Sequence, residues 1–181
     1  MRYAAAGLLL LTAPAWAQDK PATVPTRDVD VTYRMGSPEP NGPPMAQRMR
    51  WSMAAAKLRV DPPTPGLYMI VDYQAHRMAV VKTAERAVLD APAPSAGLPG
   101  QSGGSYARRG VDSVAGLGCV NWDTVDTSGR ATTLCMTSDG VLLRASQAGV
   151  PLLEAVAVTY APQDPAAFVP PDGFRHVTPR P

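Results

Sequence analysis

Short runs of apolar residues, separated by polar turns, recur along most of the chain. The strongest run spans residues 67–73, and polar turns at 74–77 and 83–86 lead into further apolar runs at 78–81 and 87–89. In these runs apolar side chains occupy both sets of alternate positions, which is typical of strands covered on both faces of a sheet. We therefore predict three consecutive strands with both faces covered.

The preceding part of the chain shows simple alternation. Val29, Val31 and Tyr33 alternate with polar neighbours, and Met49 and Trp51 alternate with arginines. Period-two alternation predicts strands with one buried and one wet face. Beyond Trp51 the alternation changes phase.

A bend at Ala54 and Ala55 explains this change of phase, because it folds two strands into a hairpin. This turn lacks Gly and Asn, so a β-bulge is one alternative, and a helix over residues 45–57 is another because Ala and Met favour helices. The hairpin predicts three facing pairs: Trp51 with Leu58, Met49 with Val60, and Arg48 with Asp61.

The two cysteines lie on either side of a second predicted hairpin. Polar turn residues at 126–129 separate two β-prone runs, so a turn centred on Thr127 would place Cys119 directly opposite Cys135. The same register pairs Val120 with Leu134 and Trp122 with Thr132 on the other face.

A third hairpin follows, because Asp139-Gly140 before an apolar run is a strong turn signal. It predicts that Leu134 faces Ala145 and that Met136 faces Leu143. A further strand is predicted at 152–160, with Val156, Val158 and Tyr160 in phase.

Proline and glycine mark where these strands end. The chain holds 20 Pro and 15 Gly, and many of them cluster between the predicted strands. Residues 91–109 read as a mobile loop, residues 18–27 as a flexible N-terminal segment and residues 176–181 as a tail. We predict a mainly β protein, a single curved antiparallel sheet or half-open barrel with few short helices, formed by one domain at 28–175.

The first 17 residues are typical of a secretory signal peptide, with a short basic start, an apolar run and a small-x-small site ending at Ala17. The apolar run is too short to span a membrane, and no later segment predicts a transmembrane anchor. We expect secretion across the inner membrane and a soluble periplasmic product. Export predicts that Cys119 and Cys135 form a structural disulfide.

The net charge is only +2, which argues against nucleic acid as a partner. Gly100-Gln101-Ser102-Gly103-Gly104 matches the G-x-S-x-G pattern of serine hydrolases, and His76 and Asp90 precede it. The flanks lack the buried strand and the helix that a nucleophile elbow requires, so a hydrolase that uses Ser102 is the least favoured of three functions.

Other candidate chemistry is sparse, and we predict neither a metal site nor a cofactor. His76 and His176 show no zinc-binding spacing and read as surface side chains. Asp28 and Asp30 share one strand face and read as a solvent-facing pair. A basic stripe reads as the wet face of a sheet or, alternatively, as a weak contact for anionic lipid; it consists of Arg48, Arg50, Lys57 and Arg59.

Two motifs carry a family resemblance. The V-A-G-x-x-C segment at 114–119 and the closing F-x-x-P-x-G-F segment at 168–174 make roughly residues 29–174 similar to exported bacterial proteins of unknown function related to the LolA/LolB lipoprotein carriers. The resemblance implies a strongly curved, incompletely closed antiparallel sheet whose concave face holds apolar side chains. The carriers close their cavity with a helical lid, whereas this chain offers only 45–56, 84–89 and 165–168 as helix candidates.

We expect a non-catalytic periplasmic protein that binds a lipid or another apolar molecule in a cleft. The alternatives are that the same side chains are ordinary core, or that the protein is a structural module whose sheet edge or loop binds another envelope protein. The expected lining consists of some of Met49, Trp51, Leu58, Val60, Met69, Val71 and Val80. The methionines suit a flexible acyl chain because thioethers adapt to irregular shapes.

Overall fold

The fold is one open, curved sheet of 12 strands. A computed structural model describes residues 20–36, 42–94, 105–126 and 128–178. The strand order is β12-β6-β5-β4-β3-β2-β1-β11-β10-β9-β8-β7, and only the β12–β6 pair is parallel. The strands are β1 Val29–Met35, β2 Met45–Ser52, β3 Lys57–Asp61, β4 Leu67–Asp72, β5 Arg77–Lys82, β6 Ala87–Pro92, β7 Ala107–Val114, β8 Leu117–Val125, β9 Ala131–Met136, β10 Leu142–Gln147, β11 Val150–Thr159 and β12 Arg175–Val177.

The predicted fold class is confirmed, since the sheet is open and curved and a single short 3-10 helix, Pro165–Phe168, is the only helix in the described ranges. The sheet is mixed rather than wholly antiparallel because β12 runs parallel to β6. Strands extend into three stretches that the sequence assigned to loop and tail. β6 continues to Pro92, β7 starts at Ala107 and β12 ends at Val177, while residues 95–104 lie outside the described part.

The bend after Trp51 is confirmed as a hairpin, and the helix over 45–57 is wrong. All three predicted pairs, including Trp51 with Leu58, occur in the β2–β3 register. The turn works without glycine because Ala56 itself adopts a left-handed conformation with φ 47°. His76 does the same between β4 and β5, and Arg86 between β5 and β6.

The cysteines form a disulfide, but the predicted β8–β9 register is wrong by two residues. Asn121, not Cys119, faces Cys135, and Trp122 faces Leu134. A slip of two residues leaves every side chain on its own face, because side chains alternate along a strand. Cys119 and Cys135 therefore still meet, with their Cα atoms 5.4 Å apart.

Two bulges alter the predicted pairing further along the chain. Leu134 faces Ala145 as predicted, but Met136 pairs with Leu142, because Leu143 is an extra residue in β10. Val156 is likewise an extra residue in β11, because its neighbours Ala155 and Ala157 pair with consecutive residues of β1. Its side chain is exposed, so it does not share the phase of Val158 and Tyr160.

Buried residues lie on both faces of the sheet, as predicted for β4–β6. In β4 and β5, Val71 belongs to the main core, whereas Ile70 and Val81 belong to a separate cluster on the other face. The main core unites β1–β4 with the disulfide and the start of β10. A third cluster, around Trp122, lies on the face of β8 opposite Cys119.

Two segments outside the strands lie across these faces, and they position the site described below. Residues 20–27, which we call the N-terminal cover, lie against β1–β3 and the turn at Gly140. Residues 161–174, the C-terminal cover, connect β11 to β12 and cross the opposite face. Leu58 faces the first and Arg59 the second, as expected for neighbours in a strand.

Candidate functional site

An apolar cleft lies between the N-terminal cover and the sheet. We call it the cover cleft, and its volume open to the centres of water molecules is about 40 Å³. That space exceeds the room needed for one water molecule, but it is far below the ~300–1,000 Å³ of typical ligand pockets. The lining consists of Thr23, Pro25, Val29, Val31, Tyr33, Met49, Trp51, Leu58, Gly140, Val141 and Leu142.

Three of the seven predicted lining residues, Met49, Trp51 and Leu58, line the cover cleft. Val60 and Val71 are buried in the main core but do not line the cover cleft. Met69 packs against that core, and Val80, which faces Met69 across β4 and β5, is half-buried.

The sequence reasoning missed the other lining residues for two reasons. The alternation of Val29, Val31 and Tyr33 marked a buried strand face but did not show that this face borders the cleft. No local pattern indicates that Thr23 and Pro25 line the same cleft as Gly140, more than a hundred positions away.

Trp51 is the most unusual side chain of the cleft. It is 5% exposed, its ring lies 5.8 Å from that of Tyr73, and its Nε1–H has no acceptor among the described residues. An unsatisfied buried donor costs about 1–3 kcal/mol. Burial also raises the pKa of the neighbouring Tyr73 to about 12.

Tyr33 has a partner, because its hydroxyl donates to the Leu142 carbonyl oxygen at 2.7 Å. Burial raises the pKa of Tyr33 above its usual value, so this phenol stays protonated. The bond joins β1 to β10 beside the cleft.

Asp139 is the main anchor of the N-terminal cover. Its backbone oxygen accepts from the Thr26 amide at 3.0 Å, and its carboxylate accepts from Arg27 Nε at 2.8 Å. Arg27 also lies over the Tyr160 ring, 3.5 Å from its centroid. Burial alone would raise the pKa of Asp139, but hydrogen bonds from Thr137, Arg27 and Tyr160 lower it overall.

Gly140 allows the cover to approach the turn closely. A Cβ at this position would lie 2.3 Å from the Val24 carbonyl oxygen, and its φ of +88° is one that glycine adopts without strain. The glycine of the predicted Asp139-Gly140 turn therefore serves both the turn and the contact with the cover.

Each member of the basic stripe contacts a carboxylate. Arg48 pairs with Asp30, Lys57 pairs with Asp72 at 3.2 Å, and Arg50 and Arg59 share Asp61 at 2.9 and 2.8 Å. Three carboxylates thus compensate most of the four positive charges of the stripe. Asp28 has a different role from Asp30, because its carboxylate accepts the Met53 and Gln163 amides.

The two histidines lie apart. His76 occupies a turn, whereas His176 in β12 lies with Nδ1 2.7 Å from the Asp90 carboxylate on the neighbouring strand. Ser102, the residue of the proposed hydrolase motif, lies outside the described residues. Within the described ranges, no group of three His, Cys, Asp or Glu side chains is arranged to hold a metal ion.

Among the residues that the structure describes, no helix has the length and apolar character needed to cross a membrane.

Comparison with known proteins identifies the fold alone. The sequence matches no protein-family model and no curated protein. The fold is similar to that of an uncharacterized conserved protein from Thermus thermophilus, with a TM-score of 0.62 and 13% sequence identity, over 85% of this chain and 91% of that one. At this identity the similarity concerns the arrangement of strands and carries no function with it.

Proposed function

We propose that this chain is an exported protein that binds an apolar ligand, a lipid or acyl chain, at the sheet face under the N-terminal cover. It acts by binding rather than by catalysis. The observation that carries the proposal is the cover cleft, an apolar surface bounded on one side by a short segment rather than by a strand. Such a surface becomes large enough for a chain-like ligand if the segment moves aside.

The disulfide supports the proposed export to the periplasm. Cys119 and Cys135 are at bonding distance, and such bonds persist in oxidising compartments. The intact mass of protein purified from the periplasm should correspond to cleavage after Ala17. Alkylation without reductant should add nothing, whereas two alkylated thiols would contradict export into an oxidising compartment.

Native mass spectrometry and solvent extraction of the periplasmic protein test ligand binding. We expect a bound lipid or fatty acid, and wild-type protein that neither carries nor takes up any apolar molecule would contradict the proposal. A matched pair of variants locates the site. Met49→Gln should lower the bound fraction because it places an amide in the cleft, whereas Met53→Gln, at a side chain that is 53% exposed, should not.

A second function, binding of another envelope protein, is favoured by the free edge of β7. Val111 on this strand is 78% exposed, and no strand pairs with the outer side of β7 within the described sheet. The edge is partly protected by Arg108, Arg109 and a bulge between Arg108 and Gly110. A copurifying protein that is lost on Val111→Lys, with no extracted lipid, would favour this function over the first.

A further inference from the structure

The lining of the cover cleft includes Trp51, a buried side chain with an unpaired donor. An indole N–H only donates, so its partner must be an acceptor atom. Tyr33, on the same lining, already directs its hydroxyl to Leu142, and most of the remaining lining is aliphatic. Burying such a donor is costly unless an acceptor reaches it.

The present volume of the cleft implies movement of the N-terminal cover. About 40 Å³ does not accommodate an acyl chain, and most of the lining on the sheet side belongs to β1, β2 and β3, which pair without a shift of register. The opposite side is formed by Thr23 and Pro25, and the adjoining residues Thr26 and Arg27 hold the same segment to Asp139. These residues can be displaced without breaking any strand pairing.

We propose, on the basis of the binding function above, that the ligand is an apolar chain that ends in an acceptor oxygen, as in a carboxylic acid or its ester. The Trp51 Nε1–H donates to that oxygen, and the chain takes the place of residues 23–25 on the sheet. Trp51 thus selects for the polar end, while Val29, Val31 and Met49 contact the apolar chain.

The indole signals in a proton–nitrogen correlation spectrum of the labelled protein, after removal of any bound lipid, test this directly. Trp51 and Trp122 are the two tryptophans within the described residues, and Trp122 belongs to a separate cluster, so it serves as an internal control. Titration with dodecanoic acid should move the Trp51 indole proton downfield and leave Trp122 unchanged. Dodecane, which has the same chain length and no acceptor, should bind more weakly and produce no such downfield shift.

Two substitutions separate the parts of the proposal. Trp51→Phe keeps an aromatic ring and removes the donor, and it should weaken dodecanoic acid binding about tenfold while leaving dodecane binding nearly unchanged. Arg27→Ala releases the cover and should tighten binding by about two- to fivefold. Arg34→Ala is the matched control, because Arg34 is as exposed as Arg27 and also pairs with a carboxylate, that of Glu154, but does not line the cover cleft.

The outcomes distinguish this inference from the binding function itself. If dodecanoic acid binds but Trp51→Phe binds it equally well, or the Trp51 signal does not move, the donor role is wrong and the binding function stands. If Arg27→Ala and Arg34→Ala bind alike, displacement of the cover is wrong. If neither probe binds the wild type or Arg27→Ala, the binding function fails together with the inference.

Discussion

The two covers differ in how they are held to the sheet. The C-terminal cover inserts Phe168, which is 2% exposed, and its backbone bonds to Arg59 and Asp28 on the strands or at their ends. The N-terminal cover lies over a cleft that it leaves partly unfilled and is bound by Asp139, beside that cleft. One segment therefore contributes a side chain to the interior, whereas the other is the segment that we propose ligand binding displaces.

The largest effect should come from the anchor of the C-terminal cover. Phe168→Ala should lower the free energy of unfolding by about 3–5 kcal/mol, because it leaves a cavity under the 3-10 helix. Chemical denaturation measures this change. Val169→Ala, at an exposed neighbour, is the control and should change stability by less than about 0.5 kcal/mol. A Phe168→Ala protein as stable as the control would show that the C-terminal cover is as loosely held as the N-terminal one.

The disulfide lies outside both covers, so its reduction should lower the stability of the whole domain. Reduction of Cys119–Cys135, whose sequence separation is 16, should cost about 3 kcal/mol by freeing the unfolded chain. Denaturation with and without reductant measures the loss. Hydrogen exchange of the two covers should keep its order, with the N-terminal cover exchanging faster; a reversal would contradict their different attachment.

Arg59 is a second anchor of the C-terminal cover, and its removal should have a smaller effect on stability. It donates to the Ala167 carbonyl oxygen at 3.0 Å, pairs with Asp61 and lies over the Tyr68 ring at 3.7 Å. Arg59→Gln should therefore cost about 1.5–3 kcal/mol in denaturation experiments. Arg48→Gln, which removes a more exposed partner of Asp30, should cost less, and equal losses would remove Arg59 as an anchor of the C-terminal cover.

The smallest effect on global stability should come from protonation of Asp139 alone, and it should act on the N-terminal cover. In the folded protein the pKa of Asp139 is lower than its usual value of 3.8. The stability that the ionised carboxylate contributes is therefore complete above pH 3.8 and is lost as the pH falls through the lower pKa of the folded protein. The protection of the Thr26 amide against hydrogen exchange, relative to an unstructured amide at the same pH, should fall over that range.

Asp139→Asn is the control for this pH effect, because the pKa of other carboxylates, such as Asp61, is also lowered. The variant should show weak Thr26 protection already at neutral pH and little further change in that protection with acid. A pH response equal to that of the wild type would assign the effect to another group.

Local patterns predicted most of the sheet because its strands are joined by short hairpins. The β2–β3 register followed from the single change of phase after Trp51, and the disulfide survived a two-residue error because alternation preserves faces. Bulges escaped prediction, since Leu143 and Val156 have no local signal that distinguishes them from paired residues.

The candidate site was predictable only on its strand side. Met49, Trp51 and Leu58 came from alternation within one hairpin. The N-terminal cover and the parallel β12 depend on contacts between distant parts of the chain, which period and turn chemistry do not encode. The unpaired Trp51 donor is a property of packing and becomes visible only in three dimensions.

The central claim is that ligand binding displaces the N-terminal cover and leaves the C-terminal cover in place. Amide hydrogen exchange of the full chain with and without saturating dodecanoic acid tests it at two residues, Thr26, whose amide donates to the Asp139 backbone, and Gln163, whose amide donates to Asp28. Dodecanoic acid should accelerate exchange at Thr26 and leave exchange at Gln163 unchanged. If dodecanoic acid binds and Thr26 exchange is unchanged or slower, displacement of the N-terminal cover is wrong.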